Sequence, residues 1–161
     1  MNDLSKMTLR RLLGLHAGIM EELRRRGVAR NENNPTANLA EFLFCRAYAW
    51  QKAPNSEKGF SASDCGSLRY RIKGRRLHRR NESRQLSAIR DLDGFDTLAA
   101  VLLDNEYRVL RAALIPGAIV RERCKFDRHT NSYNFMLTDD IWDDVRVMDA
   151  TMKLRTVESE S

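Results

Sequence analysis

Cysteine is scarce. Cys45, Cys65 and Cys124 are scattered and odd in number, and no CxxC pair occurs. Such a pattern indicates neither a structural zinc site nor a disulfide framework, and a reduced, cytoplasmic setting fits it. Histidine is equally rare, with three in 161 residues. His16 lies beside an apolar helical stripe, His78 in a basic loop and His129 near Asp127. Histidine-centred acid–base chemistry is therefore not expected. No window approaches the ~18 consecutive apolar residues of a membrane span. The first residues, Met1-Asn2-Asp3-Leu4-Ser5-Lys6, lack the charged-then-apolar layout of a secretory signal. There is no GxxxxGK(S/T) loop, GxGxxG turn, GxSxG elbow or HExxH helix, so the commonest nucleotide, serine-hydrolase and zinc-peptidase signatures are missing. The groups left for chemistry are carboxylates and lysine.

What the chain does have is arginine. Lys plus Arg number 28 against 22 for Asp plus Glu, a net charge of +6. Residues 69–90 hold nine cations, Arg69, Arg71, Lys73, Arg75, Arg76, Arg79, Arg80, Arg84 and Arg90, and one acid, Glu82. A basic block of this kind favours a polyanionic partner. With 42% hydrophobic residues the chain can bury a core. Its length predicts one domain, residues 1–155, with 156–161 as a flexible tail.

Leu12, Leu15, Ile19 and Leu23 predict an amphipathic helix over 5–26, closed by Gly27. A loop follows at Asn31-Glu32-Asn33-Asn34-Pro35. A second helix, 36–50, is apolar nearly all round and so is expected to be buried. It carries one acid, Glu41, whose helical neighbours offer no cation. A buried carboxylate needs a partner or a metal. Residues 51–59 read as a loop. Phe60–Asp64 and Leu68–Arg76 read as a hairpin around Cys65-Gly66-Ser67. In the longer strand Leu68, Tyr70 and Ile72 fall on one face and Arg69, Arg71, Lys73 and Arg75 on the other. His78–Gln85 reads as a mobile loop, and 86–92 stays open between strand and helical turn. Leu98–Leu103 is a strand buried on both faces, with Arg108–Ile115 as its antiparallel partner. A short helix is expected over 117–125, a polar loop over 126–132 and a short strand over 133–137. A final helix begins at Thr138-Asp139-Asp140, with Ile141, Val145 and Met148 on one face. The element order predicts an α/β domain with helices flanking a sheet.

Asp64, a turn, then Ile72-Lys73 on the next strand, with Glu41 on a preceding helix, resembles the PD-(D/E)XK nucleases. Gly74-Arg75-Arg76, Ser83-Arg84-Gln85-Leu86-Ser87 and Phe95-Asp96 look like a small bacterial branch of that superfamily. The resemblance covers about residues 36–120. It implies a restriction-endonuclease-like mixed β-sheet flanked by helices, and Mg²⁺- or Mn²⁺-dependent hydrolysis of DNA phosphodiesters. Carried over by position, Asp64 is the main metal ligand, Glu41 the helix acid and the Ile72 carbonyl a further ligand. Lys73 is the catalytic lysine, and Arg69, Arg71, Arg75, Arg76 and Arg84 contact nucleic acid. A homodimer and a DNA partner both fit this scheme. One position departs from it. Arg71 stands where the family carries Glu, Asp or Gln, and a guanidinium cannot ligate a metal. The alternative expectation is an inactive nucleic-acid-binding or regulatory module on the same fold.

Overall fold

The sheet is built outward from one apolar strand. In the computed structural model, which describes residues 3–29 and 35–161, β4 (Thr97–Leu103) is buried from Leu98 to its end. Its alternation feeds two cores. Ala99, Val101 and Leu103 enter one; Leu98, Ala100 and Leu102 enter the other. Such a strand must pair on both edges, and it does. It runs parallel to β3 (Arg69–Arg76) and antiparallel to β5 (Val109–Pro116). Beyond β3 lie the two-residue strands β2 (Ala62–Ser63) and β1 (Gln51–Lys52). Beyond β5 lies β8 (Met148–Asp149), giving a mixed six-stranded order β1-β2-β3-β4-β5-β8. The chain is a mixed α/β domain, as expected from the element order.

One face is covered by α2 (Pro35–Tyr48) and α4 (Thr151–Glu160). α2 crosses β3 closely because position 74 is glycine. A Cβ there would lie 3.0 Å from Ala40 Cβ and 3.3 Å from the Thr36 carbonyl oxygen. Phe44, Tyr48, Trp50 and Tyr70 stack in this core, with Trp50 and Tyr70 centroids 3.7 Å apart. The opposite face is covered by α3 (Gly117–Arg123) and by irregular chain. Leu86, Ile89, Phe135, Leu137 and Ile141 are buried there. The segment left open between strand and helical turn is neither. Gln85 and Ile89 make single bridges to Met136 and Tyr133.

Several expectations need correction. The polar loop at 126–132 contains a hairpin, β6 (Lys125–Asp127) with β7 (Ser132–Asn134). The acids at 139–140 open a 3₁₀ turn, Asp139–Asp143, and no long helix follows. Val145 and Met148 do not share a buried face with Ile141; Val145 is 99% exposed. The last helix begins instead at Thr151 and takes up the residues read as a flexible tail. Leu154 and Val157 are buried in the core, and the Glu158 carboxylate accepts the Val109 N–H at 2.7 Å. The loop expected at 31–35 lies, apart from Pro35, outside the described residues.

The first helix, α1 (Leu9–Arg25), is capped by the Thr8 hydroxyl and ended by Gly27 in the left-handed region. Met20 is its one buried residue. No helix among the described residues is long and apolar enough to cross a membrane.

Candidate nucleic-acid interface

Asp64 lies at the end of β2, and both oxygens of its carboxylate accept hydrogen bonds from the chain itself. Oδ1 accepts the N–H groups of Gly66 at 2.9 Å and Leu68 at 3.0 Å, and Oδ2 accepts the Tyr70 hydroxyl at 2.8 Å. The left-handed residue of this turn is Ser67, not Gly66. Tyr70 belongs to the α2 side of the sheet. Its hydroxyl is pushed up to about 12, first by burial and then by the hydrogen bond to Asp64.

Lys73 belongs to the other side, as strand alternation requires. Its Nζ donates to Ser87 Oγ at 2.9 Å and to the Ala88 carbonyl at 3.0 Å. Burial, then the nearby Arg71 charge, pushes the amine down to about 8. The sheet thus separates Lys73 from the Asp64 carboxylate.

Glu41 is half-buried rather than enclosed. Beside it β1 and β2 are only two residues long, so the sheet edge opens into a recess of about 150 Å³. Glu41 lines this recess with Ala53, Asn55, Ser61 and Arg71. Arg71 does not bridge the two acids; its Nη1 donates to the Lys58 carbonyl at 3.2 Å. Ile72 sits in the β3–β4 ladder, with its N–H bound to Ser61 Oγ at 3.0 Å.

These donors do not fit a divalent cation. A hard cation wants several free oxygens converging on one point. Here Asp64 is satisfied by three protein donors and Glu41 faces a separate recess. Among the described residues no cluster of three or more His, Cys, Asp or Glu side chains could hold a metal.

The cations divide into two groups. Arg69 forms an ion pair with Asp96, whose carboxyl it holds below its usual range. Arg84 pairs with Asp139 at 2.6 Å, and Arg111 shares that acid. Arg75 and Arg76 are held differently. Arg75 Nε donates to the Ser83 carbonyl at 2.9 Å. Arg76 donates from Nε and Nη2 to the Asn105 carbonyl and lies over the Tyr107 ring, 4.4 Å from its centroid. A carbonyl fixes a guanidinium in place without cancelling its charge, whereas a carboxylate does both.

These two arginines border adjoining clefts of about 380 and 420 Å³, which share Arg76 and His78. The exposed Arg79 and Arg80 complete the second cleft. Among the described residues no acid lines either one. His78 is more than a loop residue. It forms a bridge with Asn81, and its Nδ1 accepts the Arg80 N–H at 3.3 Å. With Nδ1 accepting, the neutral ring carries its proton on Nε2. The run of cations at 75–80 was visible in the sequence. The neutral anchors Ser83 and Asn105 were not, because main-chain acceptors leave no mark on residue type.

No family model matches the chain, and no curated protein matches it in sequence.

Proposed function

We propose that the chain binds nucleic acid, DNA first among them, through the arginine-lined cleft at the end of β3. In this reading it is a non-catalytic module on a nuclease-like architecture. The observation that carries it is the set Arg75, Arg76, Arg79 and Arg80, which borders two clefts free of acids among the described residues. Arginine's planar fork suits phosphate oxygens. Anchoring by carbonyls lowers the entropy lost when a phosphate docks. The hydrolytic reading has less support, because Asp64, Glu41 and Lys73 do not converge. A homodimer remains compatible and would present two such clefts.

Fluorescence anisotropy with duplex and single-stranded DNA across a salt series tests the proposal. Four phosphate contacts predict a slope of log K on log salt near roughly −3.6 on duplex. Arg79→Ala and Arg80→Ala remove exposed side chains, and each should reduce that slope by about 1. Salt-independent binding, or a slope unchanged in both variants, would overturn the proposal. Cleavage in Mg²⁺ or Mn²⁺ that Lys73→Ala abolishes would restore the hydrolytic reading.

A further inference from the structure

Among the described residues Phe126 is the most exposed aromatic side chain, 53% open to solvent. It sits on β6 directly opposite Tyr133 of β7. The two rings are tilted at 57° with their centroids 5.2 Å apart. Tyr133 packs against the buried core on the α3 side of the sheet, and Phe126 leans on it with more than half of its own surface bare. Its companions on the hairpin are cations. Lys125 precedes it, Arg128 opens the turn, and both are exposed. The hairpin's one acid, Asp127, has Oδ1 on the His129 N–H at 2.9 Å.

This hairpin is fastened to the chain that walls the arginine cleft. Ile89 and Tyr133 exchange both main-chain hydrogen bonds, at 2.9 and 2.8 Å. Ser87, two residues earlier, lines the first cleft beside Arg75 and Arg76. Between cleft and hairpin, Ala88, Ile89 and Arg90 border a recess of about 520 Å³ that Arg71 and Lys58 also line. Glu57 and Asp91 share this recess, each with a carboxylate oxygen on a main-chain N–H, at Gly59 and Asp93. Two residues of chain and two strand spacings separate Ser87 from Phe126, about 17 Å at most. A few nucleotides span that distance.

We propose that Phe126 is a base-stacking platform, and that the nucleic acid held in the arginine cleft is single-stranded. Phosphates lie among the arginines, an unpaired base closes on the Phe126 ring, and Lys125 and Arg128 take the flanking phosphates. The proposal rests on the reading of the cleft as a nucleic-acid site and names the form of its ligand. A base offers its face to a side chain only after leaving the duplex stack. Every base has such a face, so the contact adds affinity without choosing sequence. A duplex would bring phosphates to the same surface and nothing to the ring.

The experiment is fluorescence anisotropy of the full chain with oligothymidine and with a duplex of equal length, at matched ionic strength. The single strand should bind the more tightly. Phe126→Ala and Phe126→Leu should each weaken it about tenfold, with duplex binding and circular dichroism unchanged. Neither removes a charge, so the salt slope should stay as it is, whereas Lys125→Ala should lower the single-strand slope by about 0.7. Phe126→Trp should keep or exceed wild-type affinity. Irradiation of a complex with a 5-iodouracil oligonucleotide should cross-link Phe126. Equal affinity for the two forms would overturn the inference, and so would a Phe126→Leu variant with wild-type single-strand affinity or a loss shared by the duplex. In those cases a slope still lowered by Arg79→Ala and Arg80→Ala would leave the cleft reading standing. Absence of binding to either form would overturn both.

Discussion

Asp64 and Asp104 occupy the same place in two turns of one geometry. In each, Oδ1 accepts the N–H groups two and four residues ahead: Gly66 and Leu68 for Asp64, Glu106 and Arg108 for Asp104. In each, the residue three ahead has a positive φ, 68° at Ser67 and 65° at Tyr107. The main-chain bonds also match, with Asp64 and Asp104 each donating to the residue four ahead. Asp104 joins β4 to β5 and is not one of the expected catalytic groups. Its twin at the β2–β3 turn is accounted for by the same backbone requirement.

Asp64→Ala and Asp104→Ala should therefore destabilise the chain by similar amounts, about 1–2 kcal/mol each, because each leaves two turn N–H groups without their acceptor. Urea unfolding would show this as paired shifts of the midpoint at constant slope. Mg²⁺ and Mn²⁺ at millimolar levels should leave the melting temperature of the wild type unchanged. A metal-induced rise that Asp64→Asn removes would return Asp64 to a ligand role.

Lys73 ties stability to alkaline pH. Its amine falls to about 8 in the folded chain, against an unfolded value near ~10.4. Between these values the unfolded chain holds the extra proton, so stability rises as pH climbs from about 8 to about 10.4. The gain is on the order of 3 kcal/mol if the whole shift is expressed. Tyr70 acts in the opposite sense. Its hydroxyl is raised to about 12, so the unfolded chain ionises first and stability falls above about pH 10. Denaturant titrations should show wild type gaining on Lys73→Met only over the first window, because the Met side chain has no proton to lose. The Met variant should be the more stable at pH 7.

Gly74 and Gly94 should resist even alanine, for different reasons. At Gly74 the added methyl meets Ala40 and Thr36, and α2 must lift off β3. At Gly94 it lies 2.8 Å from both Gly59 Cα and the Gly59 carbonyl oxygen. Backbone cannot rotate away as a flexible side chain can. Overpacking of this kind costs about 1–3 kcal/mol, with Gly94→Ala expected to lose more. Thermal melts of the two variants compare them directly.

Removing residues 156–161 should destabilise rather than trim. The deletion exposes part of the core that Val157 covers and takes away the Glu158 carboxylate that holds the Val109 N–H. Val157→Ala alone should cost roughly 1–2 kcal/mol through the lost methyls. A truncated chain as stable as the full one would show that the last turns of α4 contribute nothing.

Much of the architecture was legible because it is written in local patterns. The alternation at 69–76 and the continuous apolar run at 98–103 forecast β3 and β4. The DNE turn and the PG pair bounded β5 and α3. Residues 138–160 were misread because Thr138-Asp139-Asp140 looks like a helix cap while the tertiary fold uses it for a 3₁₀ turn. The polar Thr151–Glu160 stretch hides the three-to-four spacing of Leu154 and Val157 among exposed residues. Glu41 was expected to be enclosed because its helix is apolar all round. The neighbouring strands proved too short to cover it.

The sequence by itself determined the basic centre, the apolar strand and the order of the main elements as far as α3, since each depends on residues close in the chain. It could not determine which face of the sheet each charge would meet. That needed contacts between segments far apart in sequence. Lys73 finds Ser87 and Ala88, Arg69 finds Asp96, Arg84 finds Asp139 and Arg76 finds Asn105. Only the tertiary structure decided which arginines were paired with carboxylates and which were held by neutral carbonyls.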